Sequence, residues 1–141
     1  MIELAKAALD IGIIVNNLAM QSKFYGETLG LPKVGEISLG SSSLHIFAFG
    51  DSYLKLYEFP SAVANLEAKP VGAERGLAYL TLTVRDLDNT VSMLSRADVE
   101  PLTPPAVFES KVEGGSLAHI RARHAMFSDP EGNRIELLEL L

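Results

Sequence analysis

The sequence predicts an α+β fold of two βαβββ modules, with curved mixed sheets around a cavity and helices on the outer face. Three observations predict it. The chain repeats itself at an offset of 69 residues, so that Val15 meets Val84, Asn17 meets Asp86, Leu18 meets Leu87 and Pro32 meets Pro101. Each copy opens with an alternating stretch rich in β-branched residues, 10–15 and 79–84. A helix-spaced stretch follows in each. Module one covers about 8–59, a connector about 60–77 and module two about 78–141, together one domain by length. A strand-and-helix module of about 50–60 residues buries too little surface to stand comfortably alone, so two should pack or pair.

Asn17 and Asp86 are good helix caps, because their side chains accept an N–H at a helix start. Apolar positions Leu18, Met20, Phe24, Tyr25 and Leu29, and then Leu87, Val91, Met93 and Leu94, mark the two helices. Gly30 is placed to end the first. "GEISLGSSSLHIFAFGDSYLKLYEF" reads as strand, turn, strand, Gly-Asp-Ser turn, strand. Residues 60–77 carry Pro60, Pro70, Gly72 and Gly76, which suits a connector. In the second copy "VEPLTPPAVFES" is a strand segment, a loop rich in Gly and charge follows over 110–118, and "DPEGN" is a turn between the last two strands: Pro130 presets φ and Gly132 tolerates positive φ. The stretch 104–119 is long for a connection and reads as a binding loop or lid, with Phe108 able to close over a ligand; a solvated loop is the plain alternative. One mixed eight-stranded sheet is the expected sum.

Composition narrows the function. Hydrophobic residues are 48% and charged residues 21%, enough for a core in a globular protein. Net charge is −6 and the basic residues form no run, which argues against nucleic acid. There is no cysteine, hence no disulfide, thiolate nucleophile or Cys-based zinc site. The opening "MIELAKAALDIGIIV" carries Glu3, Lys6 and Asp10 and is read as neither signal peptide nor membrane span, so a cytoplasmic protein without membrane contact is expected. No phosphate-cradling glycine motif and no Ser-His-Asp signature appears.

The pattern V-x-N/D-L…FY…LGL in "LDIGIIVNNLAMQSKFYGETLGL", with DPxGNxIEL in "FSDPEGNRIELLEL", resembles the vicinal oxygen chelate superfamily over residues 8–140. That group includes glyoxalase I, methylmalonyl-CoA epimerase, extradiol dioxygenases, fosfomycin-resistance enzymes and bleomycin-binding proteins. The resemblance implies a homodimer, with modules paired within a chain or across a swapped dimer. In the metalloenzymes of the family, histidines and glutamates at four equivalent inward strand positions hold a metal. Carried onto this chain, those positions are Asp10, Lys55, Tyr79 and Glu136. Only Glu136 keeps the usual type.

Lys55 is therefore the informative residue. In "DSYLKLYEF" it alternates inward with Tyr53 and Tyr57; a surface lysine on an edge strand is the alternative. An ammonium has no lone pair to give a metal and repels a cation. The expectation is an Asp10–Lys55–Glu136 ionic cluster where relatives hold metal, with no metal and no cofactor. His124, Met126 and Ser128 alternate onto the cavity wall, and His124 is the best acid–base candidate. The face of His45 depends on the length of its hairpin turn, and His119 lies in or beside the long loop. A non-standard metal site from His124, Glu136 and Asp10 is the minor alternative. Gly12, Ile14, Tyr53, Tyr57, Thr81 and Thr83 complete the wall, a mixture that suits a small organic ligand.

Two functions fit. One is a metal-free binding protein in which Asp10, Gly12, Tyr57, Tyr79, Thr81, Met126 and Phe108 contact the ligand. The other is a metal-independent isomerase or lyase of glyoxalase or epimerase type, in which Lys55 stabilises an oxyanion and Glu136 or His124 moves a proton.

Overall fold

The computed structural model describes residues 2–62, 75–109 and 120–141. The chain divides into two compact units, Met1–Leu66 and Glu67–Leu141. The first contains β1 (Ile11–Val15), α1 (Leu18–Lys23), β2 (Lys33–Leu39), β3 (Ser42–Phe49) and β4 (Ser52–Glu58). The second contains β5 (Leu80–Thr83), α2 (Leu87–Arg96), β6 (Thr103–Glu109), β7 (Arg121–Ser128) and β8 (Arg134–Leu140). Strand order is β1-β4-β3-β2 in one and β5-β8-β7-β6 in the other. The first and last strands of each unit run parallel, and the other neighbours are antiparallel. The βαβββ repeat is thus present twice, with an α+β fold. The hydrogen-bonded ladders make two four-stranded sheets, not the single eight-stranded sheet expected. Each module completes its own ladder by returning its last strand beside its first.

The caps follow the repeat. Asn17 accepts from Met20 N and Asp86 from Asn89 N, each at 2.9 Å. After Lys23 the first helix widens over Phe24–Thr28: Leu29 N reaches Phe24 O at 2.9 Å, and Leu31 N reaches Tyr25 O at 3.0 Å. Gly30, at φ 73°, supplies the left-handed residue that lets the chain turn back. Residues Leu18, Gln21, Phe24 and Tyr25 are buried, as are Leu87 and Leu94 of α2. Met20 and Met93 are exposed, against expectation, because they lie off the i, i+3, i+7 stripe that faces the sheet.

In module one the helix-side face of the sheet is Val15, Phe47, Leu54 and Leu56, all nearly sealed from water. In module two it is Ala125, Phe127, Ile135 and Leu137. A fully buried leucine such as Leu56 contributes about 2–3 kcal/mol. The strand expected within 99–110 is present as Thr103–Glu109, so the long connection starts later than residue 104, and this strand lies at the sheet edge. Its register shifts between Thr103 and Ala106, where Pro104 and Pro105 sit, and an edge position tolerates the missing N–H donors. Residues 110–119, with His119 and most of the long loop, lie outside the described residues, as does most of the connector.

The two-residue turn at Gly40–Ser41 settles His45. Leu39 pairs Ser42, so His45 pairs Glu36 and Leu56 and points to the helix side. Its Nδ1 lies 2.6 Å from Ser22 Oγ on α1, and Lys33 Nζ lies 3.3 Å from its Nε2. Burial pushes the imidazole below its ordinary pKa, and the Lys33 ammonium pushes the same way, against Glu36 and Glu58. The unfolded chain then binds the proton more readily, so this contribution is present above the unfolded value of about 6.5 and is lost as pH falls below it. The wild type should lose more stability between about pH 7.5 and 5.5 than a His45→Gln variant, read by urea unfolding. Equal losses would remove His45 from the account.

Candidate functional site

The open face of each sheet carries the polar chemistry. In module one, register places Gly12 beside Lys55 and Ile14 beside Tyr57 on one flank. On the other, Ile46 sits beside Lys55 and Leu44 beside Tyr57. The buried partners Leu54 and Leu56 take the opposite face, so Tyr53, Lys55 and Tyr57 form one column on the open side. Lys55 is 39% exposed and is not an edge-strand residue, since β4 lies between β1 and β3. A Cβ added at Gly12 would meet nothing within 4 Å, so the backbone beside Lys55 opens onto free space.

Asp10 immediately precedes β1. Its Oδ1 accepts from Lys6 Nζ at 2.5 Å and from Tyr53 N at 3.0 Å, and its Oδ2 lies 3.7 Å from Lys55 Nζ. The Lys6 hydrogen bond, foremost, holds the carboxyl below its usual range. The Tyr53 amide and the Lys55 charge act the same way against the cost of burial. Asp10 therefore does touch Lys55, yet its nearest cation is Lys6, a residue the sequence reading gave no role. The i, i+4 spacing of Lys6 and Asp10 was its only trace. Lys6 Nζ also stands 4.4 Å from the centre of the Tyr53 ring.

In module two, Glu136 occupies the place that Lys55 has in module one: it pairs Thr81, the repeat counterpart of Gly12. Its Oε2 accepts from Thr81 Oγ1 at 2.8 Å, and its Oε1 lies 3.1 Å from His124 Nδ1. An ionised carboxylate only accepts, so this contact uses Nδ1–H, and in the neutral imidazole the lone pair lies on Nε2. The Phe108 ring stands edge-on to His124, centroids 5.5 Å apart. Met126 pairs Glu136 and shares the open face with His124, whereas Phe127 faces the core. Tyr79 lies just before β5 and is exposed. The structure thus groups Asp10, Lys55, Tyr57 and Gly12 in one module, and Thr81, Glu136, His124, Met126 and Phe108 in the other.

The donor sets do not suit a divalent metal within either module. In module one the single carboxylate is already matched with two ammonium groups. In module two one carboxylate and one imidazole hydrogen-bond each other. Among the described residues no group of three or more His, Cys, Asp or Glu side chains is placed to hold a metal ion. Among those residues, too, no helix is long and apolar enough to cross a membrane.

A glyoxalase family protein from Bacillus cereus shares the fold at 22% identity, with TM-score 0.71, covering 99% of this chain and 96% of its own. TnmS3, an antibiotic binding protein from Streptomyces sp. CB03234, is 25% identical with TM-score 0.63, covering 99% of this chain and all of its own (100%). A glyoxalase/bleomycin resistance protein from the same Streptomyces is 28% identical with TM-score 0.55, covering 92% and 96%. No curated protein matches the chain. The family model for the Glyoxalase/Bleomycin resistance protein/Dioxygenase superfamily matches residues 8–137, nearly the whole chain, and the chain belongs to that superfamily.

Proposed function

We propose that this protein binds a small organic molecule in a site that needs no metal, and that Lys55 is the resident cation of that site. The observation that carries this reading is Lys55 itself: it stands on the open face of a central strand, ion-paired to Asp10, beside the free space at Gly12. An ammonium supplies the positive charge that a divalent metal would otherwise bring, without vacant coordination positions. The likeness to an antibiotic binding protein supports binding as the activity. Aromatic, hydroxyl and charged side chains on the open faces suit a ligand held by stacking and a few directed hydrogen bonds. In this reading the protein is a cytoplasmic homodimer, which light scattering on the purified protein tests. A compound that raises the melting temperature should be recovered unchanged by mass spectrometry after prolonged incubation. Recovery of a chemically altered compound would replace binding by catalysis.

One arrangement favours catalysis as the second reading. Thr81 fixes Glu136, and Glu136 fixes the tautomer of His124, leaving Nε2 able to take up or return a proton. Lys55 would stabilise a developing oxyanion electrostatically. This is the equipment of a metal-independent isomerase or lyase, and Lys55→Ala should then abolish turnover while the fold survives. The His124 geometry is testable without a substrate. Nitrogen–proton correlation spectra at about pH 9, where an ordinary imidazole is neutral, should show the proton on Nδ1. In Glu136→Leu it should move to Nε2. A proton on Nε2 in the wild type would sink the arrangement.

A further inference from the structure

We propose that the open face of module one is a subsite for an aromatic or otherwise planar organic anion, a carboxylate or phenolate, with Lys55 as the charge partner. This rests on the small-molecule-binding reading and adds the ligand's chemical class. Along β4 the open face presents Tyr53, Lys55 and Tyr57 in succession, an ammonium between two phenol rings. The Phe59 ring packs against Tyr57 with centroids 4.4 Å apart, extending the aromatic surface. Side chains two apart on one strand lie roughly 6.5–7 Å apart along it, a span that a ring stacked on one phenol covers with its carboxylate and a hydrogen bond of about 2.8 Å to the ammonium.

The local charge favours an anion although the chain as a whole is acidic. Lys6 and Lys55 bring two positive charges to this corner, and Asp10 offsets one. Asp10 binds Lys6 closely, whereas its 3.7 Å separation from Lys55 is too long for a hydrogen bond. The N–H groups of Lys55 are therefore available to a second acceptor. The neighbours of Lys55 across the sheet, Gly12 and Ile46, bring no acidic group. Gly12 leaves the space into which a planar ligand can settle. Charge-assisted hydrogen bonds are about twice as strong as neutral ones, so ionisation of the ligand should matter more than its shape.

The test uses the full-length protein and three probes: benzoate, benzyl alcohol as its neutral counterpart, and cyclohexanecarboxylate as the non-aromatic anion. Binding is read by chemical-shift titration at low salt. Benzoate should bind at least about tenfold more tightly than either other probe, and should shift Tyr53, Lys55 and Tyr57. Lys55→Met should erase the preference over benzyl alcohol, and Lys55→Arg should restore it. Gly12→Val fills open space, so it should weaken benzoate without lowering the melting temperature. Equal affinity for benzoate and benzyl alcohol, shifts confined to other residues, or no effect of Lys55→Met would each overturn the anion assignment. Failure of all three probes overturns it as well. None of these results bears on metal independence, which the metal titration below decides separately.

Discussion

Replacing Asp129 by alanine should cost about 3 kcal/mol of stability. Asp129 opens the DPEGN turn between β7 and β8 and is 4% exposed. Its Oδ1 accepts from Glu131 N at 3.0 Å and Asn133 N at 2.9 Å, and its Oδ2 accepts from Asn133 Nδ2 at 2.8 Å. The backbone closes around it: Asp129 N donates to Asn133 O, and Gly132 N donates to Asp129 O. Alanine would strand these donors beside a small void. For a chain of this length, about 3 kcal/mol corresponds to a melting temperature lower by roughly 10 °C. Asp129→Asn should lose less than half as much, since an amide oxygen can replace Oδ1 and the Asn133 amide can rotate. Because the turn sets the register that puts Glu136 and His124 on one face, Asp129→Ala should also disturb the His124 tautomer. Thermal melting with the nitrogen spectra measures both. A loss below about 1 kcal/mol would mean that the ladder alone holds the hairpin.

A comparable loss, about 3 kcal/mol, is expected for Gly26→Val. Gly26 lies where the first helix widens, and a Cβ there would approach Phe47 Cε1 to 3.1 Å. Phe47 is 1% exposed on β3, so its ring has nowhere to retreat without disturbing the core. The absence of a side chain at Gly26 is what allows helix and sheet to come this close. In a Phe47→Leu background the cost of Gly26→Val should fall to about 1 kcal/mol, because residues in contact do not add. Equal costs in the two backgrounds would show that the loss comes from the widened turn rather than from the contact.

Much of this was legible in the sequence because the chain writes its module twice. The caps at Asn17 and Asp86 sit at the repeat offset and make the same bond. Period-two alternation in "YLKLYE" separated Leu54 and Leu56 from Lys55 and Tyr57 correctly, since a central strand of a one-sided sheet must bury one set. Three features resisted for physical reasons. The partnership of Lys6 with Asp10 comes from residues before the first strand, where no periodicity fixes direction. The limits of the strand at 103–109 were blurred by two prolines, which an edge position with a register shift accepts. The face of His45 hung on a turn one residue shorter or longer, and a slip of one residue exchanges the two faces of a strand. Among the candidate site residues, the pairing of side chains was not legible. That Thr81 and His124 both engage Glu136 follows from a ladder register that only the fold supplies.

The measurement that bears most directly on Lys55 as resident cation is metal content, determined on protein purified without chelator and followed by a divalent-metal titration watched by thermal melting. With Lys55 as the cation, no stoichiometric metal and no saturable rise in melting temperature with zinc, nickel, manganese or magnesium is expected. One metal ion per chain, with a saturable rise that EDTA reverses, would contradict it. Lys55 would then have to swing aside, and Asp10, Glu136 and a histidine would become candidate ligands of a metalloenzyme.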